Sequence, residues 1–284
     1  MTQARNAWTT ASTSILGGML FGVLLAAPAA AGMGPSYLGP DEYTSEADAV
    51  IEPGTFGFCI ENFENGSLDV PGVTGNGGVV GSGGLTDSVD GDDGSIDGSG
   101  TAGHSYFYGN GTAGVEFTFD LARTNGLPTF VGIVWTDGGY NAPVTFEAFD
   151  AANQSVLVTP YGPFLHADAS NYGETAEDRF YGVENPEGIR RIVVSNPGGG
   201  IEVDHLQLNR CVLCGDANFD LRLTAPDALV ALKTAVGTDN CKLCVCDANN
   251  SAGTSTSDAL AILRQSVGIA TPMNCPACPE FDPA

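Results

Sequence analysis

The sequence predicts an all-β sandwich over residues 36–209, followed by a small all-α module over residues 211–279 that carries two oxygen-rich loops. Three observations point there. Short apolar runs in the first segment are separated by turn-forming residues; seven of the eight cysteines lie beyond residue 210; and the chain after residue 211 repeats itself at an offset of 31 residues.

Residues 114–119, 129–135, 144–149, 191–194 and 201–208 form the apolar runs, divided by clusters of Gly, Pro, Asn and Asp. No 3.6-residue periodicity persists between them, which is the pattern of a two-sheet sandwich. Residues 66–114 hold 16 of the chain's 39 glycines, together with Asp87, Asp90, Asp92, Asp93 and Asp97. Glycine admits the positive φ of tight turns, and the aspartates either cap those turns or aim oxygens at a calcium ion; both readings stay open.

Ahead of the sandwich, residues 1–31 read as a secretory signal. Arg5 precedes an apolar run over residues 15–27, and the small residues Ala29, Ala30 and Ala31 suit cleavage before Gly32. An uncleaved anchor is the competing reading. No later run is long or apolar enough to span a bilayer, so the chain is expected to be secreted or displayed at the cell surface, with no transmembrane segment once the signal is removed. Against 34 acidic residues stand 10 basic ones, a net charge of −24, and the only lysines are Lys233 and Lys242. That balance excludes nucleic acid and anionic membranes as partners and suits a chain that meets divalent cations outside the cell. Export favours disulfides. The CxxC pairs Cys211/Cys214, Cys241/Cys244 and Cys275/Cys278 also have zinc-ligand spacing, which leaves zinc as the alternative.

The repeat carries the chemistry. Asp216, Asn218, Asp220, Thr224 and Asp227 are matched by Asp247, Asn249, Ser251, Ser255 and Asp258. These are positions 1, 3, 5, 9 and 12 of a twelve-residue turn, where hard oxygens converge on a cation that takes six to eight of them, and calcium is that cation. Thr224 and Ser255 are placed to cap the helices that follow, with Asp227 and Asp258 three residues on, and Pro226 is tolerated in a first turn. Leu229, Leu232 and Val236 are matched by Leu260, Leu263 and Val267, and each series ends in Gly237 or Gly268. The i, i+3, i+7 spacing predicts one apolar stripe per helix, each buried against the other. Helices so paired bring Cys275 or Cys278 toward Cys214, and Cys241 or Cys244 toward Cys246. Cys59 is left for Cys211, since domain termini commonly lie close together.

These loop-plus-helix units resemble the dockerin family over residues 215–268. The resemblance implies that Asp216, Asn218, Asp220 and Asp227 ligate one calcium, that Asp247, Asn249, Ser251 and Asp258 ligate a second, and that the module docks non-covalently onto a cohesin-like partner. A calcium-stabilised terminal module without a cohesin is the competing account. There are departures. The glycine usual at position 6 is Leu221 in one loop and Ala252 in the other, so a left-handed backbone there costs about 1–2 kcal/mol per site, and glycine at 221 is expected to tighten loop one. Ser251 replaces a position-5 aspartate, so loop two is expected to be the weaker site. The family's partner-facing Ser/Thr pair survives as Thr256 and Ser257 but is Ala225 and Pro226 in the first repeat.

Residues 63–69, 85–97, 132–138 and 201–206 resemble exported bacterial β-sandwich proteins of the PEP-CTERM-associated kind, and the closing strand is similar to the last strand of jelly-roll carbohydrate-binding modules. The fold class implied is an all-β jelly-roll-like sandwich ahead of a dockerin-like all-α module. A binding role, with an extracellular polysaccharide as the candidate ligand, would use exposed aromatics. Trp135 alternates with Val131 and Ile133 and so reads as core, whereas Tyr140, after Asp137 and two glycines, is the candidate ligand-binding residue; Tyr161 and Tyr172 are further aromatics of that type. For enzyme chemistry the nucleophile elbow GxSxG is missing, and His104, His166 and His205 are too scattered for a metal triad. No catalytic residue is assigned. A polysaccharide hydrolase would instead need two carboxyls about 5–9 Å apart in a cleft, and a purely structural surface protein would need neither cleft nor platform.

Overall fold

Along the strands of the first segment, side chains alternate between a dry interior and an outer face, and that alternation builds two antiparallel sheets. The computed structural model describes residues 34–81, 86–89, 103–120, 126–139, 142–158, 164–165, 178–276 and 278. The signal expected over residues 1–31 and the candidate residue Tyr140 lie outside them, as do Tyr161, Tyr172, His166, Asp90, Asp92, Asp93 and Asp97.

The strands are β1 (Ser36–Glu42), β2 (Phe58–Glu61), β3 (Val73–Gly75), β4 (Gly78–Val80), β5 (Ser105–Tyr108), β6 (Val115–Phe119), β7 (Phe130–Asp137), β8 (Pro143–Phe149), β9 (Ser155–Val158), β10 (Phe164–Leu165), β11 (Arg179–Glu184), β12 (Arg191–Ser195) and β13 (Ile201–Asn209). One sheet runs β1-β11-β7-β13-β5-β4, with β2 also paired to β13; the other runs β10-β8-β12-β6-β3, with β9 on β8. Their facing residues form one core that includes Phe117, Phe119, Ile133, Trp135, Phe146, Tyr181, Ile192, Val203 and Leu206. Trp135 is therefore core, as its alternation predicts.

The first sheet is also covered on its outer face. Phe130, Val134 and Phe180 point away from the main core and pack with Tyr43 and Val89, which is why β7 is apolar almost without a break. On β13 the ladder slips between Asp204 and Gln207. His205 is the extra residue there, with φ at +44°, and its buried ring meets the Tyr43 hydroxyl at 3.1 Å through Nδ1.

Beyond β13 come three helices, α1 (Ala225–Ala235), α2 (Leu243–Cys246) and α3 (Thr256–Ser266). Their core contains Ala228, Ala231, Val245, Ala259 and Ile262 with the half-cystines of residues 244, 246 and 278. This corrects the expected stripe. Leu229, Leu232, Val236, Leu260, Leu263 and Val267 are all 41–64% exposed. The reason is rotational. Asp227 and Asp258 must face the loops and are fully buried; at 100° per residue, positions 228 and 231 then lie within about 100° of that direction, while 229, 232 and 236 lie about 140–180° away. The loops set each helix's rotation, and small alanines, not leucines, fill the contact.

So thin a core depends on covalent staples. The structure pairs Cys59–Cys211, Cys214–Cys275, Cys241–Cys246 and Cys244–Cys278. The first is the pairing expected from the closeness of domain termini, the second and third fall within those the repeat predicts, and Cys244–Cys278 was not expected; every CxxC cysteine is used as a disulfide, not as a zinc thiolate. Disulfides of this number belong to an oxidising, non-cytosolic compartment. No helix among the described residues is long and apolar enough to cross a membrane.

Candidate metal centre

The two loops share one backbone path. Positions 4 and 6 are left-handed in both: Phe219 at φ +61° and Leu221 at +60° in loop one, Asn250 at +57° and Ala252 at +65° in loop two. Non-glycine residues in that region are uncommon, so the same pair of departures at the same two positions marks a conformation that the loop requires. Each loop closes on a capping box. Thr224 N–H and Oγ1 donate to Asp227 Oδ2 at 2.8 and 2.7 Å, and Ser255 N–H and Oγ donate to Asp258 Oδ2 at 2.8 and 2.6 Å.

Loop one gathers carboxylates. Oxygens of Asp216, Asp220 and Asp227 lie within 4.8 Å of one another. Asp216 is held by the Leu221 and Asp220 amides at 2.8 and 3.2 Å, and Asp227 Oδ1 by the Ala217 and Asn218 amides at 3.0 and 3.2 Å. Asn218 Nδ2 donates to Asp220 Oδ2 at 2.9 Å. Burial raises the Asp216 carboxyl to about 6, and the Asp227 and Asp220 charges push the same way against the amide hydrogen bonds. Three carboxylates crowded at one point, two of them buried, form an all-oxygen set that fits a hard divalent cation. Asp216, Asn218, Asp220 and Asp227 would hold it, with Thr224 Oγ1 at the rim.

In loop two the Ser251 and Gly253 amides donate to Asp247 at 2.8 and 3.2 Å, and the Asn249 amide donates to Asp258 Oδ1 at 3.1 Å. Among the described residues loop two offers two carboxylates, Asp247 and Asp258, and Asn249, Ser251 and Ser255 stand at its other oxygen-bearing positions. Thr256 and Ser257 are exposed at the start of α3. Ser257 Oγ accepts from Asn249 Nδ2 at 3.1 Å and lies 2.8 Å from Ser255 Oγ.

One relation was not visible in the sequence. Leu221 is half-buried against the main core of the sandwich, and Phe219 meets Phe56 edge to face at 5.4 Å between centroids. Arg222 Nη2 lies 3.5 Å from Asp69 Oδ2. Lys242 Nζ sits 4.2 Å from the centre of the Phe56 ring. The residues that replace glycine and its neighbours in loop one thus seat that loop on the sandwich.

No family model matches the sequence, and no curated protein is similar to it. Among solved structures, the chain is similar to the K1 cleaved adhesin domain of Lys-gingipain from Porphyromonas gingivalis W83, at 14% identity over 54% of this chain and 97% of that one, with a TM-score of 0.32. It is also similar to the enzymatically active domain of tailspike protein 4 of bacteriophage CBA120, at 14% identity over 52% of this chain and 20% of that one, with a TM-score of 0.24.

Proposed function

We propose that this is an exported calcium-binding protein in which a non-catalytic, jelly-roll-like sandwich serves binding or surface display and the dockerin-like helical module serves non-covalent assembly. The observation that carries the reading is the congruence of the two loops: matched left-handed positions, matched capping boxes and, in loop one, three convergent carboxylates. Assembly is supported by the outward leucines and valines of α1 and α3, six large aliphatic side chains that contribute nothing to the module's own core, beside the exposed Thr256 and Ser257. Such a face suits a cohesin-like partner. Four disulfides favour export.

Differential scanning calorimetry of the full chain tests the calcium reading. A ligand that binds only the folded form adds RT ln(1 + [L]/Kd), about 2.7 kcal/mol per site at a hundredfold excess over Kd. Calcium should move the melting transition upward relative to chelator. Coincident curves would overturn the reading.

A further inference from the structure

The outer face of the first sheet carries a row of side chains that the calcium module does not use. Phe107 on β5, Glu202 on β13 and Asp137 on β7 are successive ladder partners across three adjacent strands. Directly opposed residues in an antiparallel pair share a face, with Cα atoms about 4.5–5.5 Å apart. Simple alternation would not put Asp137 there. Trp135 pairs with Val203 and belongs to the core, so Asp137, two residues on, would also point inward. The register shifts between these pairs instead. Thr136 is the extra residue, and the bulge turns Asp137 outward beside Glu202, a use that bulges commonly serve next to functional sites.

A cavity of about 470 Å³ opens on this row, lined by Phe107, Glu202, Asp137, Val80 and the backbone of Gly199 and Gly200. That volume lies in the ordinary range for small-ligand sites. Phe107 is 40% exposed yet held in place, since a β-carbon at Gly200 would collide with its ring. Glu202 is 4% exposed. Its Oε1 accepts from the Ser105 hydroxyl and, at 3.4 Å, from the Asp87 amide, while Oε2 takes no hydrogen bond from the described residues. Burial raises this carboxyl to about 7, with the Asp137 charge pushing the same way, so near neutral pH it serves as donor or acceptor.

We propose that this cavity binds a neutral saccharide, with Phe107 as the stacking platform and Glu202 and Asp137 as the groups that read its hydroxyls. The apolar C–H face of a sugar ring covers an aromatic ring well, and hydroxyls both give and take hydrogen bonds at carboxyl oxygens. Among the described residues no Lys or Arg lines the cavity, so an anionic polysaccharide would meet two acidic groups there. The proposal rests on the reading of the sandwich as the binding part of the protein.

Affinity electrophoresis of the full chain in native gels tests it, with xylan, laminarin, galactomannan or dextran in the gel and alginate as the anionic comparison. At least one neutral polysaccharide should retard the chain. Phe107→Ala and Asp137→Asn should each weaken that retardation on the order of tenfold, with thermal melts confirming that both variants are folded; should Phe107→Ala fail to fold, Asp137→Asn alone decides. Retardation unchanged in the folded variants would overturn this site while leaving the sandwich a binding domain. Retardation by none of the four neutral polysaccharides would overturn both. Retardation by alginate alone would overturn the ligand class.

Discussion

Loop one and loop two begin from the same twelve-residue plan and end in different situations. Both need a left-handed residue at position 6, yet Leu221 turns its side chain onto the sandwich core while Ala252 is exposed. At position 4, Phe219 reaches Phe56, whereas Asn250 is exposed. Three carboxylates converge in the first loop, and Ser251 reduces the second to two. A duplicated unit can thus keep its backbone and divide its labour: one copy gathers three carboxylates and seats the module on the sandwich, while the other keeps its exposed Thr256 and Ser257 beside the apolar helix faces.

The largest effect should come from position 12. Asp227 accepts four hydrogen bonds, from the Ala217, Asn218 and Thr224 amides and the Thr224 hydroxyl. Asp258 accepts three, from the Asn249 and Ser255 amides and the Ser255 hydroxyl. Asp227→Ala removes a candidate ligand and the N3 half of a capping box and leaves buried amides without their acceptor, at a cost of about 3 kcal/mol or more. Titration calorimetry should lose the tighter calcium phase in Asp227→Ala and the weaker one in Asp258→Ala. The reverse assignment would erase the ranking of the loops.

Glycine at position 6 should separate them next, by sign. In Ala252→Gly the left-handed penalty of about 1–2 kcal/mol disappears against an entropic cost of about 0.5–1 kcal/mol, so loop two should gain several tenths of a kcal/mol. Leu221→Gly relieves the same strain but strips away a half-buried side chain worth about 1–2 kcal/mol of burial. The simple expectation that glycine tightens loop one therefore gives way to a neutral or destabilising outcome. Melting curves with calcium should rise for Ala252→Gly and stay level or fall for Leu221→Gly; a rise of equal size in both would mean that Leu221 does not anchor.

Much of this contrast was legible beforehand because a repeat compares a chain with itself. The candidate ligand positions and the capping residues follow from aligning residues 216–227 with 247–258, whereas Cys244–Cys278 was not among the expected cysteine pairings. The helix faces were misread for a physical reason: the leucine spacing is helical, but the direction of each helix is set by Asp227 and Asp258, and the apolar series lies opposite them. Leu221 looked like a strained substitution because the core it packs against is built by the sandwich strands, remote from it in sequence. The row of Phe107, Glu202 and Asp137 was hidden by a bulge, since one extra residue reverses which face a side chain takes.

Phe219→Ala should have a smaller effect. The ring is 47% exposed, so it loses mainly its edge-to-face contact with Phe56, worth about 0.5–1.5 kcal/mol. Asn250→Asp, at the same position in loop two, keeps a residue that tolerates the left-handed backbone there and has no ring contact among the described residues to lose. Chemical denaturation should lower the midpoint for the first and barely move it for the second. Equal shifts would mean that the position-4 residue acts through the loop backbone and not through the sandwich.

The smallest effect belongs to the ion pair that closes the junction, and its salt dependence is more informative than its size. Arg222 Nη2 and Asp69 Oδ2 are 3.5 Å apart with side chains 63% and 39% exposed, so water screens the attraction and the pair is worth about 0–1 kcal/mol. Yet Arg222 follows Leu221 directly, and its amide donates to Asp220 Oδ1 at 3.0 Å. A change at this pair therefore reaches both the anchor and a candidate ligand. Arg222→Ala should lower calcium affinity at loop one by no more than about threefold in dilute buffer, and that difference should vanish near 1 M salt, where the Debye length is about 3 Å. Loop two should show no change at either ionic strength. A loss that persists in high salt would mean that the arginine acts through the packing of its aliphatic stem, and the junction would then be apolar throughout.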